Sequence, residues 1–282
     1  MRAIIKYPGS KWSIASWIVD HFPQHHSYLE PFFGSGAVFF RKNRSPIETI
    51  NDLDGDVVNF FICVRDKPER LASYLQFTPY SREIYNQACK ELKKPFNKIN
   101  LSPGGLGDCR RAARFATKMM MGFGFRTNEF AAGFKRDIQG REAAYAANDW
   151  GQLPDRVRYI TDRMKGVQIE NRPALQLIRE FAYKNVLIYA DPPYVMSSRS
   201  CKRSQYRFEM TDNDHMQLLE SLKIHPGPVI VSGYDNSIYN NQLKDWNREE
   251  IIAQKQNAGK SREIIWMNFD VPNIQTSVDD FI

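Results

Sequence analysis

Val186-Leu187-Ile188-Tyr189-Ala190-Asp191-Pro192-Pro193-Tyr194 carries the strongest strand signal in the chain, an apolar run ended abruptly by an acid and two prolines. Neither proline can donate to a sheet ladder, so the strand stops there and the backbone beyond it is stiff. Asp191, the carbonyl of Pro192 and the ring of Tyr194 are thereby held at the carboxyl edge of a sheet. Carboxylate and carbonyl both accept hydrogen bonds, which suits the two hydrogens of an exocyclic amine while the tyrosine stacks on the attached ring. In isolation the motif reads better as a proline turn with a buried tyrosine.

It is not isolated. Upstream, the short apolar run 28–32 meets Gly34-Ser35-Gly36, and Ala37-Val38-Phe39-Phe40 then reads as a helix opening. A second strand, 47–50, ends at Asn51-Asp52, and 54–64 has helical apolar spacing. This β-α-β-α order predicts a right-handed crossover and a parallel sheet. Residues 167–169 continue it as a strand and 174–183 as a helix. Downstream, 211–222 reads as a helix with Thr211 as N-cap, and 229–232 as another strand. Residues 250–252 and 264–267 flank the turn-rich Asn257-Ala258-Gly259-Lys260, the pattern of an antiparallel hairpin. The expected fold is α/β, with 1–66 and 163–282 as one domain. The segment 67–162, lacking a strong apolar strand, is expected as an inserted, mainly helical domain. It holds a basic cluster, Arg110, Arg111, Arg114 and Lys118, three of which helical spacing brings close together.

Composition excludes disorder, collagen and coiled coil: 42% of the 282 residues are hydrophobic and 25% charged, ordinary for a globular chain with one large core. No run approaches the roughly 20 apolar residues that span a bilayer, and the N-terminus lacks a signal peptide's apolar stretch. A cytoplasmic protein without a membrane partner is expected. Cys63, Cys89, Cys109 and Cys201 form no C-x-x-C pair, and His25, His26, His215 and His225 show no ligand spacing, so no metal site is expected. The net charge of +7 is weak evidence for a polyanionic partner; where the charge sits matters more.

The glycine turn after the first strand resembles a nucleotide-binding fingerprint, but Phe39 stands where a third glycine would be. That argues against a bound pyrophosphate and leaves room for a ligand with ribose and no phosphate. Asp52, at the end of the second strand, suits the two ribose hydroxyls; on these residues alone, Asp52 or Asp54 reads better as a helix cap.

Taken together, Lys6-Tyr7-Pro8-Gly9-Ser10-Lys11-Trp12, Glu30-Pro31-Phe32-Phe33-Gly34-Ser35-Gly36, Asn51-Asp52 and Asp191-Pro192-Pro193-Tyr194 occur in the order seen in Dam-like DNA adenine-N6 methyltransferases, the D12 class. Met210-Thr211-x-x-Asp214-His215, Val231-Ser232-Gly233-Tyr234-Asp235-Asn236 and Arg262-Glu263-Ile264-Ile265-Trp266-Met267-Asn268 resemble stretches of phage and prophage members. The resemblance implies a Rossmann-like S-adenosylmethionine-dependent methyltransferase sheet and transfer of a methyl group to adenine N6 in double-stranded DNA. It further implies that the insertion recognises the target. By matching positions, Tyr7, Gly9 and Lys11 hold the cofactor's methionine end, Phe32, Gly34 and Gly36 line its pocket, and Asp52 binds the ribose. Asp191, Pro192, Pro193 and Tyr194 form the catalytic corner, with Asp191 also bordering the cofactor. Pro173 stands where members often carry an acid near the cofactor's adenine, with Glu170 and Asn171 beside it as substitutes. Gly124-Phe125-Arg126-Thr127-Asn128-Glu129-Phe130 only faintly echoes the hairpin of GATC-reading members, so that specificity is not implied.

An amine conjugated to a purine is a poor nucleophile, and bonds from N6 to Asp191 and Pro192 favour a pyramidal nitrogen as positive charge develops. A base inside a duplex cannot reach such a corner, so flipping is expected. Arg199, Lys202, Arg203 and Arg207, interleaved with serines after Tyr194, are expected to meet DNA phosphates, with Arg126 as a further contact. The rival readings are a methyltransferase on another amine (RNA adenine, cytosine N4 or a protein glutamine amide) and a DNA-binding module that retains the fold without catalysis. Aspartate rather than asparagine at 191 favours adenine; the intact corner and glycine turn favour catalysis. A monomer or weak dimer is expected.

Overall fold

The computed structural model describes residues 3–93, 107–124, 126–138, 143–199, 204–254 and 260–270. Seven strands form one sheet in the order β3-β2-β1-β4-β5-β7-β6. The strands are β1 (Ser27–Glu30), β2 (Ile47–Asn51), β3 (Gln168–Glu170), β4 (Val186–Ala190), β5 (Val229–Gly233), β6 (Asn247–Gln254) and β7 (Lys260–Met267). The first five are parallel, and β7 lies antiparallel between β5 and β6, the arrangement of a Rossmann-like methyltransferase sheet. Of the turn-rich stretch 257–260 expected between the last two strands, 257–259 lie outside the described residues and Lys260 begins β7.

Every residue of β4 and β5 is buried, because central parallel strands are covered on both faces. The alternation along β4 sorts its side chains between the two layers. Leu187 and Tyr189 join a cluster with Tyr28, Ile50, Phe60 and Phe61; Val186, Ile188 and Ala190 join another with Leu177, Leu218, Leu222 and Trp266. Each such side chain contributes roughly 1.5–3 kcal/mol on burial.

The first layer carries α1 (Ala15–Asp20), whose Ile18 is buried, and α2 (Gly55–Asp66). It also carries the helices between α2 and β3: α3 (Pro68–Gln76), α4 (Arg82–Glu91), α5 (Cys109–Met121), α6 (Tyr145–Gly151) and α7 (Leu153–Met164). Leu71, Phe115, Met119, Val157 and Ile160 from these helices enter the same apolar cluster as Phe60 and Leu187. Among its described residues, segment 67–162 is thus mainly helical, and its apolar face is continuous with the sheet's core. The second layer carries α8 (Ala174–Glu180), α9 (Asp212–Lys223) and α10 (Ser237–Gln242). Thr211 caps α9 through a reciprocal pair with Asp214, a device that contributes about 1 kcal/mol. No helix among the described residues is long and apolar enough to cross a membrane.

One local reading is corrected. Residues 37–40 do not open a helix; they form consecutive turns closed by Phe40 N to Gly36 O and Lys42 N to Val38 O. Ala37, Val38 and Phe39 are all buried, so no polar face exists for a helix to show to water. Of the basic cluster on α5, Arg110 is exposed and the other three residues have partners within the protein. Arg111 pairs with Asp56, Arg114 with Glu91, and buried Lys118 donates to the carbonyls of Thr127 and Asn128.

Candidate active site

Strand order reverses between β1 and β4, and the loops leaving these two strands and β2 diverge at their carboxyl ends, where α/β sheets hold ligands. The cleft there encloses, with its open mouth, about 790 Å³, within the range of small-ligand sites. Tyr7, Gly9, Lys11, Phe32, Gly34, Asp52, Asp191 and Pro193 all line it, so residues scattered over most of the sequence converge on one wall.

Glycine is required at two of these positions. Gly9 has φ +68° and a Cβ there would strike the Tyr206 hydroxyl; Gly34 has φ +50° and its Cβ would come within 3.0 Å of the Tyr7 ring. Gly36, at φ +67°, does not line the cleft. A Cβ there would come within 2.5 Å of Phe33 and 2.8 Å of Phe40, so this glycine lets the loop fold onto its own aromatic residues.

Asp52 closes the turn from the other side. Its Oδ2 accepts from Gly34 N at 2.9 Å and its Oδ1 from Asp54 N at 2.8 Å, while Asp54 is the residue that caps α2. Burial, and then the neighbouring Asp54, push the Asp52 carboxyl up to about 7. Asn171 donates to the carbonyls of Asp52 and Leu53 at 2.8 and 3.1 Å and so braces this turn; neither Asn171 nor Glu170 lines the cleft.

Directly after β4, Asp191 is fixed on both oxygens. Lys11 Nζ lies 3.0 Å from Oδ2, and Ser232 Oγ of β5 donates to Oδ1 at 2.8 Å. Tyr189 shares a 3.0 Å hydrogen bond with the same serine. Burial raises the Asp191 carboxyl above the usual carboxylate range, against the pull of Lys11 and Ser232. Below it, Glu30 accepts from the Tyr28 hydroxyl at 2.7 Å, and burial lifts it to about 8. Pro192 is buried, and Tyr194, only 8% exposed, lies behind the cleft wall. Lys11 Nζ sits 4.6 Å from its ring centroid and the Tyr234 ring meets it at 4.5 Å, near edge-on.

Two arginines expected to meet phosphates are engaged inside the protein. Arg199 is buried, its Nε on the Tyr194 carbonyl at 2.7 Å and its fork on Glu209 at 3.0 and 2.7 Å. Arg207 donates to Asp54 at 2.8 Å and Asp56 at 2.6 Å. As placed, both brace the loop, and a phosphate contact by either requires breaking a charge-assisted pair. Lys202 and Arg203 lie outside the described residues. Arg126 is half-buried at the head of a loop stitched to this segment: Thr127 N donates to Gln205 O at 2.9 Å, Asn128 Nδ2 to Ser204 O at 2.7 Å, and Arg207 N to Thr127 Oγ1 at 3.0 Å.

The cleft is also lined by residues to which the sequence reading gave no site role: Thr127, Tyr206, Phe208 and Met210. Ser232 was visible within the Val231–Asn236 stretch, but its bond to Asp191 crosses between strands and leaves no local signal. No group of three or more His, Cys, Asp or Glu suited to a metal occurs among the described residues.

A parallel sheet with an antiparallel hairpin, and a carboxylate clamped beside a cleft at its switch point, place a small-ligand site where open α/β sheets carry one. The family model for D12 class N6 adenine-specific DNA methyltransferases matches residues 7–258, and the chain belongs to that family. It is similar to the type II methyltransferase M1.LlaDCHI of Lactococcus lactis subsp. cremoris, 23% identical over 93% of this chain and 91% of that one. It is also similar to the DNA adenine methylase of Salmonella typhi, at 22% over 84% and 82%, and to the type II methyltransferase M.MjaIII of Methanocaldococcus jannaschii, at 20% over 90% and 92%. The chain is thus an adenine-specific DNA methyltransferase.

Proposed function

We propose that the protein takes its methyl group from S-adenosylmethionine and delivers it to N6 of an adenine flipped out of double-stranded DNA. The observation that carries this reading is Asp191, clamped by Lys11 and Ser232 in the wall of the cleft. The cleft's donor set fits the cofactor. Asp52, Asp54, Asp191 and Glu209 line it against Lys11 and Arg207, an acidic balance that suits a sulfonium and disfavours a phosphate. Tyr7, Gly9 and Lys11 would hold the methionine end and Asp52 the ribose hydroxyls, with Phe32 and Gly34 forming the pocket and Gly36 shaping its loop. When bound, S-adenosylmethionine supplies an electrophilic methyl group.

The remaining work falls to the chain. Asp191 and the Pro192 carbonyl accept the N6 hydrogens, and these bonds strengthen as positive charge develops on nitrogen. Pro193 keeps the corner stiff, and Tyr194, buried here against Lys11 and Tyr234, takes the extruded base on its ring once one of these neighbours gives way. Segment 67–162 reads the target; the stitching of Thr127 and Asn128 to residues 204–207 supports this, because it ties the insertion to the loop beside the cleft. Basic residues bordering that loop, Arg126 among them, meet DNA phosphates. The protein acts in the cytoplasm as a monomer or weak dimer. Incubation with labelled S-adenosylmethionine and unmethylated plasmid DNA tests the reading: label in adenine at N6 is expected, and label confined to cytosine or to protein contradicts it.

A further inference from the structure

The Tyr194 hydroxyl donates to Glu263 Oε2 at 2.7 Å. Glu263 belongs to β7, a strand the chemistry above does not use, and is 8% exposed. A carboxylate is unfavourable in such a place unless it is bonded, and among the described residues no cation pairs with it. Its other contact is Ser261 Oγ, a long 3.4 Å from Oε1. The tyrosine is therefore the main partner of a buried acid.

The same ring is held elsewhere by Lys11 at 4.6 Å and by the Tyr234 ring at 4.5 Å. Packing of Lys11 and Tyr234 against the ring restricts its rotation about the second side-chain torsion. The hydroxyl oxygen lies on the axis of that torsion, so a hydrogen bond there pins the far end of the ring and the direction of its long axis. Donation to a carboxylate also enriches the ring in electron density, which strengthens its attraction for a base gaining positive charge.

We propose that Glu263 is a positioning residue, which through Tyr194 holds in place the ring on which the target adenine stacks. This rests on the stacking role given above to Tyr194. The test uses the full chain, unmethylated plasmid DNA and tritiated S-adenosylmethionine, with Y194F, E263A, E263Q and the Y194F/E263A double variant. Loss of a hydrogen bond to a charged group predicts that Y194F and E263A each lower kcat/KM for DNA about tenfold to a hundredfold. KM for S-adenosylmethionine stays within about twofold of wild type, and E263Q, which keeps an acceptor oxygen, recovers most of the loss. The double variant is no worse than the poorer single one, since one bond is lost in every case.

Wild-type kcat/KM in E263A, or losses that multiply in the double variant, overturns the proposal. If E263A does not fold, Y194F decides: full kcat/KM in a variant with an unchanged melting curve overturns it equally. A wild-type chain that labels no DNA overturns the activity on which the proposal rests, whereas a wild type that labels DNA beside indifferent variants overturns the role of Glu263 alone.

Discussion

Lys11 Nζ lies 3.0 Å from Asp191 Oδ2, with the lysine side chain 3% exposed and the aspartate 18%. The pair couples the N-terminal loop to the corner that follows β4 and favours the charged form of the aspartate against burial. Burial raises the Asp191 carboxyl and Lys11 lowers it again. In the role proposed for it, Asp191 accepts one N6 hydrogen best when ionised, so activity is expected to rise with pH through this elevated value. Lys11→Met removes the lowering contact, and the acid limb of the kcat profile is expected to move to higher pH. An unmoved limb in a variant that still turns over speaks against Asp191 as the titrating group.

Arg207 joins the loop after the catalytic corner to Asp54 and Asp56 at the start of α2. Its removal strands buried Asp54, which has no other cation within pairing distance among the described residues, while Asp56 keeps Arg111. Arg207→Ala is expected to cost about 3 kcal/mol of stability. It should also weaken cofactor affinity, since Asp54 adjoins Asp52 in the cleft wall. Denaturant unfolding and cofactor titration measure the two effects; a change below about 0.5 kcal/mol would make the contact a surface pair.

Burial lifts Glu30 to about 8 from an ordinary value of 4.5, and Asp52 to about 7. A folded state that binds protons more tightly than the unfolded chain loses stability as pH rises through those values. These two groups should therefore lower the melting temperature progressively from about pH 4.5 to about pH 8, with no further loss above it. Glu30→Gln keeps an acceptor for the Tyr28 hydroxyl but no longer titrates, and its melting temperature should fall less steeply over the same range. Equal slopes in the two proteins refute the assignment to Glu30.

How far the sequence carried this reading depended on whether a signal was local. The uniform apolar runs of β4 and β5 and the capping pair Thr211 and Asp214 are legible because pattern and cause lie within a few residues. α1 and α10 are six residues each, too short for a helical period to emerge. The turns at 37–40 escape for a different reason: residues apolar on all sides give a core-hugging turn and a buried helix the same pattern. The charges of Arg199 and Arg207 are plain in the sequence, but Asp54 and Asp56, which occupy Arg207, are paired only by the fold. Asp191, Asp52 and the two cleft glycines were legible as a motif set, whereas the bond from Ser232 was not.

Phosphate contacts leave a counterion signature. Affinity for unmethylated duplex DNA should fall steeply between about 50 and 200 mM salt, and Arg126→Ala should reduce the logarithmic slope by about one. A flat salt dependence removes the basic loop from the interface.

The most direct measurement is the identity of the modified base. Unmethylated duplex DNA, incubated with the purified chain and methyl-labelled S-adenosylmethionine and then digested to nucleosides, is expected to carry its label in N6-methyl-2′-deoxyadenosine, and Asp191→Ala should lower that yield by at least a hundredfold. Label in N4-methyl-2′-deoxycytidine, or an undiminished yield from Asp191→Ala, contradicts the account.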